Sequence, residues 1–291
     1  MNPQAASVDE VQRFMREQAY LADRGLATAI YLSLSLNRPL LLEGEAGVGK
    51  TEVGIALASA LGAELVRLQC YEGIDASQAL YEWDYARQLL HARALSEREA
   101  MSERALDDLF SSRFLVERPL LHALRRGDEA VLLIDEVDRA DDEFEAFLLE
   151  VLSDFQVTIP EIGPLRAESP PPVVLTSNRT RELHDALKRR CLYHWIEYPE
   201  LEREVEIVRV RAPEVSEMLS EHVAAVVARI RDLDLYKPPG VAETIDWARA
   251  IALLGGEVTP DVAGSTLGSL LKDHQDLDRV RDALPGVIGD G

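Results

Sequence analysis

The stretch Gly44-Glu45-Ala46-Gly47-Val48-Gly49-Lys50-Thr51 constrains this chain more than any other. It follows the apolar run Pro39-Leu40-Leu41-Leu42 and opens an amphipathic run from Glu52 to Leu61 that stops at Gly62. The spacing G-x-x-x-x-G-K-T between a strand and a helix is that of a phosphate-binding loop. The glycines let the backbone curl and turn its N–H groups inward on a phosphate. The helix N-terminus behind the loop adds orphan donors and a partial positive charge. Lys50 has the reach for the β- and γ-phosphates, and the Thr51 hydroxyl suits Mg²⁺. A glycine turn with an incidental lysine is the bland alternative, and it leaves the flanking strand and helix unexplained.

Four further apolar runs, Glu64 to Gln69, Ala130 to Ile134, Val173 to Asn178 and Leu192 to Ile196, read as buried strands separated by helices. That alternation predicts an α/β fold on a parallel sheet. Pro3 to Asn37 reads as helical, as do Ala76 to Leu90, Glu143 to Leu152 and Glu182 to Arg190, with a charged stretch from Ala94 to Asp108. Phe155 to Pro160 alternates and Gly163-Pro164 turns, which predicts a small hairpin. After Pro199 the strand signal ends. Leu201 to Arg211, Glu214 to Leu233, Val241 to Leu254 and Pro260 to Leu271 read as helices of a second, smaller domain. The expected division is 1–198 and 199–291.

Length and charge narrow the partners. The 291 residues, 47% hydrophobic, suffice for a large core and a small one. Lys and Arg number 31 against 52 Asp and Glu, a formal charge of −21. Such a surface repels nucleic acid and anionic lipid, so neither is expected as the main partner. Cys70 and Cys191 are the only cysteines, which fits a reducing cytoplasm. The N-terminus shows no signal peptide, and no apolar run approaches a membrane span. The six histidines show no ligand spacing, so no metal beyond Mg²⁺ is expected.

Hydrolysis needs a carboxylate anchor for the metal, a base for the water and charge stabilisation at the γ-phosphate. Asp135 and Glu136 emerge where an apolar strand ends, the edge at which open α/β sheets bind ligands. Asp135 is the candidate for Mg²⁺ and Glu136 for the attacking water. Asn178 ends the next buried strand and is placed to orient the same water. Arg189 and Arg190 close the following helix. They either cap its C-terminus or reach a neighbouring subunit's γ-phosphate as an arginine finger.

These residues together resemble an AAA+ ATPase. Gly44 to Thr51, Val131 to Glu136, Leu175 to Asn178 and Lys188-Arg189-Arg190 are similar to its Walker A, Walker B, sensor 1 and arginine-finger motifs, in that order. The long segment between Gln69 and Ala130 resembles the helix-2 insert (about 70–126), and the hairpin (about 155–167) resembles the one before sensor 1. Both point to the MoxR branch. Within it, Cys70 to Asp75, Tyr81-Glu82-Trp83 and Leu267 to Lys272 look like the CoxD-type ATPases found with molybdenum-containing carbon monoxide dehydrogenases.

The resemblance implies an αβα core of five parallel strands in the order 5-1-4-3-2, with an all-α lid. It implies ATP and Mg²⁺ as cofactors, bound by Gly44, Glu45, Ala46, Gly47, Val48, Gly49, Lys50 and Thr51, with Thr51 and Asp135 on the metal. Glu136 would be the base, Asn178 sensor 1, and Arg190 ahead of Arg189 the finger. Gln69 would hold Glu136 inactive until assembly. The implied protein is a homo-oligomer, a hexameric ring, acting as a chaperone with a von Willebrand A-domain partner and a metalloenzyme client. The rival reading is a nucleotide-gated scaffold with little turnover. One departure stands out: Gly240 to Trp247 carries no sensor 2 arginine, and Arg249 lies a turn later. Tyr81, Trp83 and Tyr85 read either as core or as substrate contacts in the insert.

Overall fold

The computed structural model describes residues 6–94 and 108–289. The charged stretch therefore lies almost wholly outside the described residues. Among the described residues nine strands follow in chain order: β1 (Leu40–Gly44), β2 (Glu64–Gln69), β3 (Tyr81–Trp83), β4 (Leu115–Glu117), β5 (Ala130–Asp135), β6 (Gln156–Ile159), β7 (Gly163–Arg166), β8 (Val173–Ser177) and β9 (Leu192–Ile196). By contact the chain forms two compact units. The first holds Ala22–Glu43 and Thr51–His194 with the N-terminal helix; the second holds Ala19–Leu21, Gly44–Lys50 and the chain from Trp195 onward.

Five strands form the main sheet in the order β2-β5-β8-β1-β9. Counted over those five strands alone, this is the expected 5-1-4-3-2 read from the other edge. The pairs β2–β5, β5–β8 and β1–β8 are parallel. Every residue of β1, β5 and β8 is buried, whereas β2 alternates and β9 is only partly covered. That is the pattern of central strands covered on both faces beside exposed edges. Parallel register brings one end of each strand to a common edge: Gln69 pairs with Asp135, and Glu43 with Ser177.

The segment Ala76 to Leu90 is not one helix. A capping box on Asp75 and Gln78 starts a single turn, Ala76–Ala79. Then Tyr81-Glu82-Trp83 pairs antiparallel with Leu115–Glu117, and a helix resumes at Tyr85–Ala94. Aromatic side chains favour the pleated ladder once a partner strand is present. Trp83 is 6% exposed and stacks edge-on against Phe110 at 5.4 Å, so it is core. Tyr85 is 67% exposed. The hairpin of β6 and β7 forms as expected, and the helix before β9 begins late, at Asp185–Arg190.

The second unit is helical: Leu201–Arg211, Glu217–Arg231, Val241–Leu253, Pro260–Leu270 and His274–Ile288. The last of these is a helix beyond the four expected. The core gathers on Trp247, which is fully buried and donates its indole N–H to the Thr266 hydroxyl at 2.8 Å. Burying that ring requires such a partner for its polar edge.

Candidate active site

Asp135 ends β5 at the common edge and is 2% exposed. Its Oδ1 accepts the Thr51 hydroxyl at 2.9 Å and the Thr176 hydroxyl at 2.5 Å. Thr176 in turn accepts the Glu136 backbone N–H at 2.9 Å. The sheet register forces this meeting, because Thr176 lies on the strand beside β5. Glu136 has a left-handed backbone, φ 54 and ψ 50. For a residue other than glycine this is a strained state that persists only where surroundings impose it. The turn aims Glu136 away from Asp135, so the two carboxylates divide.

Glu136 Oε2 accepts the Gln69 side-chain amide at 3.0 Å and Arg139 at 3.0 Å. Gln69 was expected to hold Glu136, and the structure brings the two together. Arg67, which sequence reasoning missed, donates to Asp135 Oδ2 and to Gln69 Oε1. The edge is strongly anionic. Cys70 beside it has its thiol pushed up to about 12, by burial first and then by the charges of Asp135, Asp138 and Glu136. Asp138 was also missed. It is 2% exposed and accepts the backbone N–H groups of Asn178 and Thr180 at 3.2 and 2.8 Å. It thereby fixes the turn that carries Asn178, whose own amide makes no hydrogen bond among the described residues.

The helix Asp185–Arg190 is capped by a residue from elsewhere. Arg38 donates to the carbonyls of Arg189, Arg190 and Cys191 at 2.8, 3.0 and 3.2 Å. Capping is thus supplied, and the side chains of Arg189 and Arg190 are exposed with no ion-pair partner among the described residues.

The loop Gly44–Lys50 groups with the helical unit. A Cβ at Gly44 would lie 2.3 Å from the Ile196 carbonyl oxygen, so only glycine fits. Lys50 Nζ donates to the carbonyls of Gly44 and Glu45 at 2.9 and 2.6 Å, drawing the loop closed. The loop then meets the N-terminus of the helix Val241–Leu253. Val241 N–H donates to the Gly47 carbonyl at 2.9 Å. A Cβ on Gly47, whose φ is +79, would come within 2.7 Å of the Gly240 Cα. Glu243 accepts the Gly240 N–H at 3.0 Å.

A buried ion pair fixes this turn. Arg231 grips Glu204 with two hydrogen bonds of 2.6 and 2.7 Å and donates to the Pro239 carbonyl at 2.8 Å. Arg249 is occupied by Glu214 and the Arg211 carbonyl, at 2.8 and 2.7 Å.

Mg²⁺ fits the residues present at Asp135. It takes oxygen ligands and is held by one or two carboxylates plus substrate phosphates, not by an all-protein cage. Asp135 and Thr51 supply such oxygens, and no cluster of three or more His, Cys, Asp or Glu with metal geometry occurs among the described residues. No helix among them is long and apolar enough to cross a membrane.

A parallel sheet in this order, with a glycine loop after β1 and a paired carboxylate after β5, defines an ATPase of the AAA+ class. The pattern of the AAA domain (dynein-related subfamily) matches residues 39–191, more than half the chain, and the chain belongs to that family. Two relatives support a MoxR-like ATPase. The gas vesicle ATPase GvpN of Haloferax mediterranei is 26% identical over 97% of this chain and 81% of its own length. GvpN1 of Halobacterium salinarum is 24% identical over 88% and 75%. A RuvB mutant from Thermotoga maritima superposes with a TM-score of 0.50 at 15% identity, over 100% of this chain and 82% of that one. That last likeness is one of fold.

Proposed function

We propose that the chain is one subunit of a ring, a hexamer, that hydrolyses ATP to remodel a protein client. The contact of Thr51 with Asp135, 2.9 Å across the sheet edge, is the observation that carries this reading. It joins the residue after the phosphate-loop lysine to the carboxylate that ends β5. Gly44 to Lys50 hold the phosphates. Bound at Thr51 and Asp135, Mg²⁺ supplies positive charge for the phosphoryl oxygens. Glu136 takes a proton from water as the water oxygen bonds to the γ-phosphorus and ADP departs. Asn178 orients that water. Arg190, or Arg189, stabilises the charge at a neighbour's site, which agrees with side chains that are exposed and have no ion-pair partner among the described residues.

The resemblance to CoxD-type proteins supports a metalloenzyme client and a von Willebrand A-domain partner in the cytoplasm. A second reading of the client comes from the two relatives named as gas vesicle ATPases: a gas vesicle component. Nucleotide-gated scaffolding without turnover is disfavoured by the intact Glu136.

The test is subunit mixing. Arg190→Ala and Glu136→Gln proteins are each expected to be inactive, and their mixture to regain phosphate release at interfaces carrying both intact halves. A mixture that stays dead while both proteins form rings and bind ATP rejects the trans-acting arginine. Capture with Glu136→Gln and ATP, identified by mass spectrometry, separates the two clients.

A further inference from the structure

Arg67 lies on edge strand β2, and one of its terminal nitrogens, Nη2, makes two contacts. It donates to Asp135 Oδ2 and, at 2.7 Å, to Gln69 Oε1. Gln69 then donates through its own amide to Glu136 Oε2 at 3.0 Å. A continuous relay therefore runs Asp135–Arg67–Gln69–Glu136, from the metal-side carboxylate to the water-side carboxylate. Gln69 and Asp135 end the paired strands β2 and β5, Arg67 lies two residues earlier on β2 and Glu136 directly follows β5, so the strand register brings the four to one edge.

The relay satisfies Asp135 completely as it stands. Its Oδ1 accepts two hydroxyls, Thr51 and Thr176, and its Oδ2 faces the guanidinium. Asp135 is 3% exposed in its side chain and Arg67 49%. A buried carboxylate needs a positive or donating partner, and Arg67 supplies it from the solvent side, where it is free to swing out. A divalent cation arriving at Asp135 would sit beside that guanidinium. Two cations at one carboxylate repel strongly where water is scarce.

We propose that Arg67 is a positioning residue that couples metal arrival to release of the base. With Asp135 unmetallated, Arg67 steadies Gln69, and Gln69 ties down Glu136. When metal and nucleotide claim Asp135, Arg67 lets go, Gln69 loses its anchor, and Glu136 keeps only the exposed Arg139 as a donor and is free to turn toward water. This rests on the proposed roles of Asp135 and Glu136, and its deciding readout is Mg²⁺-dependent binding.

Binding of a fluorescent ADP analogue is titrated with Mg²⁺ for the wild type, Arg67→Met, Arg67→Lys and Gln69→Leu. Removing the competing cation is expected to lower the half-saturating Mg²⁺ concentration about fivefold in Arg67→Met. Arg67→Lys, with a single mobile charge in place of the fork, shifts it the same way by about twofold. Gln69→Leu leaves it at the wild-type value, since Gln69 does not touch Asp135, yet raises basal phosphate release as Arg67→Met does. An Arg67 that only braces the edge strand would lower the unfolding midpoint and leave the Mg²⁺ requirement unchanged or higher, and that result overturns the proposal. If Arg67→Met does not fold, an Arg67→Lys protein with wild-type Mg²⁺ dependence overturns it equally. Failure of the wild type to bind nucleotide would instead reject the proposed function.

Discussion

The backbone N–H of Val241 donates to the carbonyl of Gly47 at 2.9 Å, so the third helix of the helical unit begins on the phosphate loop. The approach is possible because Gly240 and Gly47 both lack a Cβ. One added at Gly240 would lie 2.5 Å from the Gly47 Cα, and the obstacle is backbone, which cannot step aside. Gly240→Ala should therefore cost about 1–3 kcal/mol of stability through overpacking. Gly268→Ala is the matched control. Gly268 sits inside a helix with nothing within 4 Å of an added Cβ, and alanine there should stabilise by about 0.5–1 kcal/mol. Urea unfolding of the two variants checks the opposite signs.

The Arg231–Glu204 pair holds the turn before Gly240. Glu204 is 1% exposed in its side chain and Arg231 11%, and Thr244 adds a third hydrogen bond to the carboxylate at 2.7 Å. Arg231→Met leaves a buried charge without its partner and should cost about 3–5 kcal/mol. Replacing both residues, with Glu204→Leu added, should return most of that loss, because the uncompensated charge is gone. Denaturant titrations of the single and double variants measure the difference.

The two cysteines give a pH-dependent prediction. Burial pushes both thiols up from 9.0 to about 12; at Cys70 the nearby carboxylates add to it, and at Cys191 Arg38 opposes it. A folded-state value above the unfolded one means stability is fully present below pH 9.0 and is lost as pH rises toward about 12. The thermal midpoint should thus fall through that window. At pH 9.0, where a thiol at its unfolded value is about half ionised, iodoacetamide should label neither cysteine in the native protein and both in urea.

Much of the fold was legible because its signals are local. The all-apolar run Ala130 to Ile134 could only be a central strand, and the loop Gly44 to Thr51 could only join a strand to a helix. The aromatic segment Tyr81 to Trp83 was not legible as a strand, since its pairing with Leu115 to Glu117 is set by residues far along the chain. The helix His274–Ile288 was hidden by its charged first turns and by Pro285, although Leu277, Val280 and Leu284 keep helical spacing. At the site, Asp135 and Glu136 were readable from their places at a strand end, and Gln69 only through the family resemblance. Arg67, Asp138 and Thr176 were not, because their roles come from strand register and turn geometry, which no single residue announces.

The central claim is that Glu136 is the base of an ATP-hydrolysing centre. Phosphate release and ATP binding, measured side by side for the wild type and Glu136→Gln, test it most directly. Loss of a general base should slow turnover about a hundredfold or more, while the amide, of the same size, leaves ATP affinity within about threefold. A Glu136→Gln protein that hydrolyses ATP at the wild-type rate would contradict the account.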